Sequence, residues 1–253
     1  MSRSYAEVIR ATDGLVAYWR LGEASGTVIV DEMGAYPGTL TGTPLPTLGV
    51  AGLLTGDSNT AIRFADSDNG GGAMNVAVGV SGDLAFAGNA PFAFECWITL
   101  TAFRGNSAFL LWNSFVDGGG SQGWYVFVDA GRLGMARQRN GVAVTTFMAS
   151  PTLNTLYHVV ATYDGATQRV SINGALVDSD ANADALVTGS TVQPKIGGTG
   201  PQVVTGVMDE VAVYNSALSA GHIFDHYQVG SRLYRTGNRK ILRSGPRRKL
   251  VAA

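Results

Sequence analysis

The acidic residues and the histidines are the parts of this sequence that could do chemistry. Hydrolysis of a glycosidic bond needs two carboxylates that flank the bond, about 5–9 Å apart depending on the stereochemistry. Glu95 and the pair Asp209–Glu210 each stand alone in the chain. The sequence therefore does not predict a glycosidase-type acid pair.

The histidines and the single cysteine give no nucleophilic site either. His158, His222 and His226 lie apart, without a plausible serine or cysteine partner. His222 and His226 are one helical turn apart and could chelate a metal, but no glutamate follows His222 to complete a His-Glu-x-x-His motif. We therefore expect both on a solvated helix face. Cys96 falls on the apolar side of its strand, where we expect an inert core thiol.

Asp209 is the acidic residue in the most unusual setting. It alternates in phase with Val211 and Val213, which puts a carboxylate on a face that is otherwise apolar. Burying an unpaired charge costs several kcal/mol, so the carboxylate should be neutralised by a cation or tightly hydrogen-bonded. A turn cap or a pair with an arginine is the competing interpretation.

A second group of residues suits a sugar ligand. Aromatic rings stack on the apolar faces of sugars, while Asn, Asp and Arg can bond their hydroxyls. The candidates are Trp112, Asn113, Asp117, Trp124, Arg137, Arg139 and Asn140. They could gather on one sheet face or rim, although Trp112 and Trp124 sit in apolar strands, where core packing competes.

Residues 231–253 form a basic arm. Its basic groups are Arg232, Arg235, Arg239, Lys240, Arg243, Arg247, Arg248 and Lys249. The arm has no acidic residue, so the rest of the chain holds 19 acidic groups against ten basic ones. Arginine-rich segments bind carboxylates, phosphates or nucleic acid. We expect an acidic neighbour in a protein assembly first and DNA or RNA second, against a merely solubilising tail.

The elements that must position these residues are mostly short strands. In residues 92–99 the residues Phe92, Phe94, Cys96 and Ile98 share one face, and Glu95 lies on the other face beside Trp97. Hairpins are predicted at Asn140-Gly141, Asp164-Gly165 and Asn173-Gly174, which together make an antiparallel meander. Helices are predicted at residues 4–11, with Ser4 as the N-cap, and at about residues 219–229, with Ser219 as the N-cap and Gly230 as the C′ residue.

Size and composition fit one all-β domain. The chain has 253 residues, 34 glycines, 45% hydrophobic residues and 15% charged residues. We divide it into a helical lead-in (1–13), one domain (14–230) and the arm (231–253). Only one cysteine is present, and no apolar stretch has the length of a signal peptide or a membrane span. We therefore expect synthesis in a reducing cytoplasm and no membrane insertion.

Four blocks of the sequence resemble laminin-G-like, concanavalin A-like domains. They are residues 16–26 (VAYWRLGEASG), 91–98 (PFAFECWI), 157–174 with its Tyr-Asp-Gly and Asn-Gly turns, and 208–219 (MDEVAVYNSALS). The resemblance implies an antiparallel two-sheet jelly-roll sandwich. The opening Ala-Tyr-Trp-Arg-Leu-Gly-Glu, after a short helix, is most similar to versions in tail and other virion proteins of bacteriophages.

The same resemblance implies a metal and argues against catalysis. Domains of this kind commonly hold a structural calcium ion with the aspartate of the last strand, here Asp209, and backbone carbonyls from the N-terminal segment and an early loop complete the site, so its partners would lie near Glu23, Ala24 and Asp31. The related hydrolases carry a Glu-x-Asp-x-x-Glu strand, and this sequence has no such triplet.

The sequence as a whole therefore predicts a non-enzymatic virion protein, a bacteriophage tail or adsorption component. Its jelly roll would bind host surface carbohydrate, and its termini would attach it to other virion subunits in a homo-oligomeric or multi-copy assembly. One alternative is a purely structural decoration protein of a capsid or tail. A second alternative is a cell-wall polysaccharide depolymerase.

Overall fold

The structure, a computed structural model, describes residues 3–64, 75–78, 84–103, 108–117, 120–129, 131–187, 194–199 and 202–231. For residues 75–78, 115–117 and 199 it describes the backbone alone. The elements in chain order are α1 (Tyr5–Arg10), β1 (Leu15–Trp19), β2 (Val28–Ile29), β3 (Gly38–Thr41), β4 (Thr47–Ala51), β5 (Thr60–Phe64), β6 (Asn75–Val78), β7 (Phe92–Leu100), β8 (Ala108–Asp117), β9 (Gly120–Val128), β10 (Arg132–Arg139), β11 (Val142–Ala149), β12 (Leu156–Tyr163), β13 (Thr167–Ile172), β14 (Ala175–Ala181), β15 (Lys195–Ile196), β16 (Gly198–Thr199), β17 (Gln202–Val203), β18 (Gly206–Tyr214) and α2 (Ala220–Gly230). Neither helix is long and apolar enough to cross a membrane.

Two antiparallel sheets form the body of the molecule. The first sheet has the order β14-β13-β12-β7-β18-β5-β4, and β1 also pairs with β18. The second sheet has the order β11-β10-β9-β8-β15-β6-β3-β2. Strands distant in sequence are neighbours in both sheets, as a jelly roll requires. The predicted fold class, an all-β antiparallel two-sheet jelly-roll sandwich with short terminal helices, is confirmed.

The main core lies between the two sheets. Phe92, Phe94, Cys96 and Ile98 of β7 all contribute to it, as their alternation predicts. The Cys96 thiol is fully buried, and burial raises its pKa well above the usual value, which agrees with an inert core residue. The meander prediction also holds. Both Asn140 and Gly141 of the hairpin between β10 and β11 have positive φ, +52° and +79°.

Both helices pack on the outer face of the first sheet and bury a second, smaller core. Ser4 caps α1 in a capping box with Glu7, and Ser219 caps α2. Gly230 is the last residue of α2 rather than the residue after it. A Cβ atom at Gly230 would lie 2.3 Å from the Trp97 ring. Close packing of the helix end on the sheet therefore requires glycine there.

A β-bulge in β18 changes the predicted orientation of Asp209. The register of β18 against β7 shifts between Asp209 and Ala212, and Glu210 takes a positive φ of +53°. Asp209 pairs with Trp97, which belongs to the helix-side core, whereas Val211 belongs to the main core. The expectation that Asp209 shares a face with Val211 was wrong, because the bulge adds one residue to the alternation.

Candidate functional site

A group of apolar side chains lies on the outer face of the second sheet, and we call it the aromatic face. It consists of five aromatic residues and one alanine on β8 to β11: Phe109, Trp112, Tyr125, Phe127, Ala136 and Phe147. These residues share one side of the sheet because they alternate with residues of the main core. Direct pairing of Trp112 with Tyr125 and of Phe109 with Phe127 brings the rings together.

The aromatic face has a buried floor and a partly exposed top. Phe109 and Phe127 are buried, while Trp112, Tyr125 and Phe147 remain partly exposed. The rings of Trp112 and Tyr125 lie 5.4 Å apart at only 28° to each other, so they form a nearly parallel pair. Burial raises the pKa of Tyr125, and its hydroxyl therefore stays protonated as a hydrogen-bond donor.

Backbone pairing carries this face further across the sheet. Lys195 pairs with Trp112 on one side, and on the other Tyr125 pairs with Ala136, which pairs with Thr145. Directly paired residues point to the same side of a sheet. Along this row Lys195 therefore lies beside Trp112 on one side of the stacked pair. On the other side Ala136 lies beside Tyr125, and Thr145 follows it.

Arg132 adds a polar edge to the aromatic face. Its guanidinium lies 5.1 Å from the Phe127 ring centroid and 5.7 Å from that of Phe147, and its side chain is 42% exposed. Its Nε and Nη2 donate to Asp129 Oδ2 at 3.1 and 2.8 Å. Burial alone would raise the pKa of Asp129, but the bonds from Arg132 and the Gly131 N–H lower it.

The residues predicted for a glycan site do not gather on one face. Trp112 lies on the aromatic face, but its neighbour Asn113 and the paired Trp124 point into the sandwich. Asn113 Nδ2 and Trp124 Nε1 both donate to the backbone oxygen of Leu84, the latter at 3.1 Å. Trp124 is therefore a core residue, which was the alternative to a role in glycan binding. The side chain of Asp117 lies outside the described residues.

The predicted arginines and asparagine also separate. Arg137 is fully buried, its guanidinium 3.5 Å from the Tyr163 ring centroid, and it donates to three backbone carbonyls. Arg139 and Asn140 are exposed at the hairpin tip, where Asn140 Oδ1 accepts from Gln122 Nε2 at 2.6 Å. Arg137 holds neighbouring loops together and is not available to a ligand.

Sequence reasoning missed Tyr125, Phe127, Phe147 and Arg132. A signal was present, because Tyr125 and Phe127 alternate with Trp124 and Val126 in β9. Both sides of this strand are apolar, however, so alternation alone does not say which side faces the core. The pairing of four strands decides it.

A second polar group, the Glu95 cluster, is buried between the first sheet and the helices. The Tyr5 and Tyr214 hydroxyls donate to Glu95 Oε1 at 3.2 and 3.0 Å. His226 Nδ1 lies 2.9 Å from Glu95 Oε2, and its Nε2 lies 3.0 Å from Thr12 Oγ1. Because Tyr5 and Thr12 belong to the α1 region and His226 to α2, this cluster ties both helices to β7.

The charges in the Glu95 cluster support each other. Burial alone would raise the pKa of Glu95, but the adjacent His226 lowers it well below the usual range. Burial would lower the pKa of His226, yet Glu95 raises it above the usual value. The two groups therefore form a buried ion pair when His226 is protonated.

The chain Glu95–His226–Thr12 has the order of an acid–base–nucleophile relay, but the Thr12 hydroxyl proton is directed elsewhere. Thr12 Oγ1 donates to the Val8 carbonyl at 3.0 Å, so in its 3.0 Å contact with His226 Nε2 the imidazole is the donor. The cluster opens on a cleft of about 840 Å³ between α1, α2 and residues 54–58. We interpret the relay as structural.

The expectation of a solvated face for both helix histidines was wrong for His226. His222 is exposed, but His226 is 1% exposed, because α2 turns this position toward Glu95. His158 is also fully buried and packs beside the rings of Trp97 and Tyr227; its Nε2 lies 3.7 Å from Glu95 Oε2, and neither of its nitrogens has a hydrogen-bond partner.

The carboxyl groups of the residues predicted to lie at a calcium site accept hydrogen bonds from backbone N–H groups. Both oxygens of Asp31 accept backbone N–H groups, from Tyr18, Met33, Ala35 and Tyr36. Glu23 Oε1 accepts from Val30, and Ala24 is exposed. Asp209 is buried, with Oδ2 bonded to the Leu53 N–H and Oδ1 unpaired. Across the described ranges, no three His, Cys, Asp or Glu side chains are arranged to hold a metal ion.

The predicted docking residues of the basic arm, from Arg232 to Lys249, lie outside the described residues, which end at Ser231.

Comparison with solved structures identifies the fold. The binding domain of botulinum neurotoxin DC, solved in complex with SialylT, superposes with a TM-score of 0.64 at 12% identity, covering 85% of this chain and 51% of that one. The binding domain of Paraclostridial Mosquitocidal Protein 1 gives 0.63 at 18% identity, covering 85% and 52%. A Trypanosoma rangeli sialidase gives 0.57 at 18% identity, covering 85% and 32%.

These similarities concern the fold, and the chain spans about half the length of the two binding domains and about a third of the sialidase. No curated protein sequence matches the chain significantly. A family model described as the concanavalin A-like lectin/glucanases superfamily matches residues 56–224, about two thirds of the chain. The protein therefore belongs to the concanavalin A-like lectin/glucanases superfamily.

Proposed function

We propose that this protein is a carbohydrate-binding module and that the aromatic face of the second sheet is its binding surface. The observation that carries the proposal is the nearly parallel, partly exposed pair Trp112–Tyr125, with ring centroids 5.4 Å apart. Sugars present apolar C–H faces that stack on such rings, and burying a large aromatic surface supplies most of the affinity.

The polar groups around the pair suit sugar hydroxyls or a carboxylate. Lys195 and Thr145 lie in the same cross-strand row, and Arg132 adds a 42% exposed guanidinium beside the buried rings. Lysine and arginine donate several hydrogen bonds, and the Thr145 hydroxyl both donates and accepts. An aromatic floor with donors on its edges is the arrangement expected of a glycan site.

The comparisons support binding of this kind in general terms. The superfamily includes lectins, and the neurotoxin DC binding domain was solved with SialylT. We propose a binding role without catalysis, because the sequence lacks the Glu-x-Asp-x-x-Glu triplet and Asp129, beside the aromatic face, is paired with Arg132. The Thr12 hydroxyl, which lies beside His226, donates to the Val8 carbonyl and not to the histidine.

The proposed setting is a bacteriophage particle, with the module as a tail or adsorption component. Its support is the resemblance of residues 17–23 to virion proteins. Weak binding per copy would be multiplied in a multi-copy assembly. A cation such as calcium is not needed for the proposed contact, since Trp112 and Tyr125 lie on the sheet opposite Asp209.

The test is binding of cell-wall and host-surface glycans to the intact protein and to three single variants. Trp112→Ala and Tyr125→Ala should each weaken binding about 30-fold, which corresponds to about 2 kcal/mol of lost stacking and burial. Phe224→Ala is the matched control, because Phe224 is 51% exposed on α2, beyond the first sheet, and should leave the affinity unchanged.

Two results would contradict the proposal. If all three variants bound glycan with the affinity of the intact protein, the aromatic face would be excluded as the site. No binding of any glycan by the intact protein would favour the purely structural decoration role, and release of sugar fragments would favour the depolymerase role.

A further inference from the structure

Three carboxyl groups, those of Asp57, Asp209 and Glu210, lie near Arg20 at the outer face of the first sheet, and Arg20 is bonded to two of them, Asp57 and Glu210. The bulge in β18 brings Asp209 and Glu210 to this side, and Asp57 comes from the loop between β4 and β5. The side chain of Glu210 is fully buried, and those of Arg20 and Asp57 are 22% and 19% exposed. The carboxylates of Asp57 and Glu210 in this largely buried place require a positive partner.

Arg20 supplies that charge through a fork of hydrogen bonds. Its Nη2 donates to Glu210 Oε1 at 2.7 Å and to Asp57 Oδ2 at 2.9 Å, and its Nε donates to Glu210 Oε1 at 3.0 Å. A guanidinium can bridge two carboxylates in this way because its donors lie in one plane and diverge.

Other donors occupy most of the remaining oxygens. The Tyr18 hydroxyl donates to Glu210 Oε2, and the Asn59 backbone N–H donates to Asp57 Oδ1 at 2.9 Å. The Leu53 N–H donates to Asp209 Oδ2 at 2.8 Å. Five of the six carboxylate oxygens therefore accept hydrogen bonds from the protein, and only Asp209 Oδ1 has no partner.

This surrounding is the opposite of what a calcium ion needs. Calcium takes six to eight oxygen ligands, so acceptors must point at it. Here N–H and O–H groups point at the carboxylates. The Arg20 carbonyl oxygen, a further possible ligand, accepts a hydrogen bond from Asn59 Nδ2 at 2.9 Å. The Asp31 carboxylate, expected as a fourth ligand group, is filled by backbone N–H groups.

We infer that the guanidinium of Arg20 takes the place of a metal cation in this cluster, so that the protein holds Asp57 and Glu210 together, with Asp209 beside them, without bound calcium. Arg20 is thus the positioning residue that fixes the loop at residues 52–59 to the bulge of β18. The inference is independent of glycan binding at the opposite sheet.

The experiment measures melting temperature and bound metal for the full chain, with calcium and with a chelator. For the wild type, about 5 mM calcium or chelator should shift the melting temperature by less than about 1 °C, since a ligand that does not bind the native state cannot stabilise it. Native mass spectrometry should show no calcium adduct. Arg20→Met should melt about 10 °C lower, because it leaves the carboxylates unpaired.

Two further variants keep the test decisive if Arg20→Met does not fold. Arg20→Lys keeps the charge but loses the fork and should melt between wild type and Arg20→Met. The double variant Arg20→Met/Glu210→Gln removes one charge of each sign and should recover most of the lost stability. A calcium adduct of the wild type with a melting temperature raised by several degrees would overturn the inference, as would an Arg20→Met variant as stable as the wild type.

Discussion

Replacing Glu95 by glutamine tests whether the two helices are held by a buried ion pair. The substitution keeps the shape of the side chain and an oxygen for the Tyr5 and Tyr214 hydroxyls, but it removes the negative charge 2.9 Å from His226 Nδ1. A neutral His226 can then accept the amide N–H at Nδ1 and donate from Nε2 to Thr12. The number of hydrogen bonds is therefore preserved and only the charge changes.

The expected loss depends on pH. His226 has a raised pKa in the folded state, so its contribution is full below about pH 6.5, the unfolded value, and is lost as the pH rises through the folded value. Glu95 has a lowered pKa, so its contribution is present above about pH 4.3 and is lost only as the pH falls further toward the folded value. The ion pair is therefore complete between about pH 4.5 and 6.5.

The size of the effect follows from the change in hydrogen-bond type. A charge-assisted bond contributes about 1.5–3 kcal/mol and a neutral one about 0.5–1.5 kcal/mol, so Glu95→Gln should cost about 1–2 kcal/mol near pH 5.5. For a domain of this size that lowers the melting temperature by about 5 °C. Well above the folded pKa of His226 the cost should fall below about 0.5 kcal/mol, because the wild type then keeps a buried carboxylate without its cation.

Urea unfolding at several pH values, from about 5 to 9, measures this difference directly. The control is Tyr214→Phe, which removes one hydroxyl from Glu95 and should cost about 1 kcal/mol independently of pH. Differences between variants cancel the titration of groups that all of them share. A Glu95→Gln curve parallel to the wild type over the whole range would refute the ion pair between Glu95 and His226.

Two further substitutions test the packing and the bulge. Gly230→Ala should lower the free energy of unfolding by about 2–3 kcal/mol, because its Cβ would lie 2.3 Å from Trp97 Cζ2 in a tightly packed core. The control Gly221→Ala, in the same helix, meets nothing closer than 3.7 Å and should raise the free energy of unfolding by up to about 1 kcal/mol. Equal stability of the two variants in thermal unfolding would contradict the close contact. Burial and the neighbouring Glu210 raise the pKa of Asp209 to about 8, so the wild type should lose stability as the pH rises from about 4 to about 8. Asp209→Asn should therefore be about 2 kcal/mol more stable than the wild type near pH 8.5 and equally stable near pH 4. A stability difference that stays constant with pH would show that Asp209 is ionised throughout.

Much of the fold could be predicted because it depends on local patterns. Alternation in residues 92–99 identified the core side of β7, and Asn140-Gly141 identified a hairpin because both residues accept positive φ. Ser4 and Ser219 marked the helix starts because their side chains accept from the first free N–H groups. The order of sequence blocks then indicated the jelly roll, which no single pattern contains.

The candidate site could be predicted only in part, because strand alternation does not say which apolar side is the inner one. Trp112 and Trp124 have similar surroundings in sequence, yet the first is partly exposed on the aromatic face and the second is fully buried. Phe147 and Arg132 reach that face only through the pairing of β10 with β9 and β11. The arrangement is a property of four strands and not of any one of them.

The sequence by itself determined the main strands, the hairpins, the N-caps of both helices and the inert position of Cys96, since each depends on neighbours a few residues away. The tertiary structure decided the rest. One bulged residue at Glu210 turned Asp209 to the other side of its sheet, and the docking of α2 buried His226 against a glutamate 131 residues distant. Contacts between groups so far apart in the chain depend on how sheets and helices pack, which residue spacing does not encode.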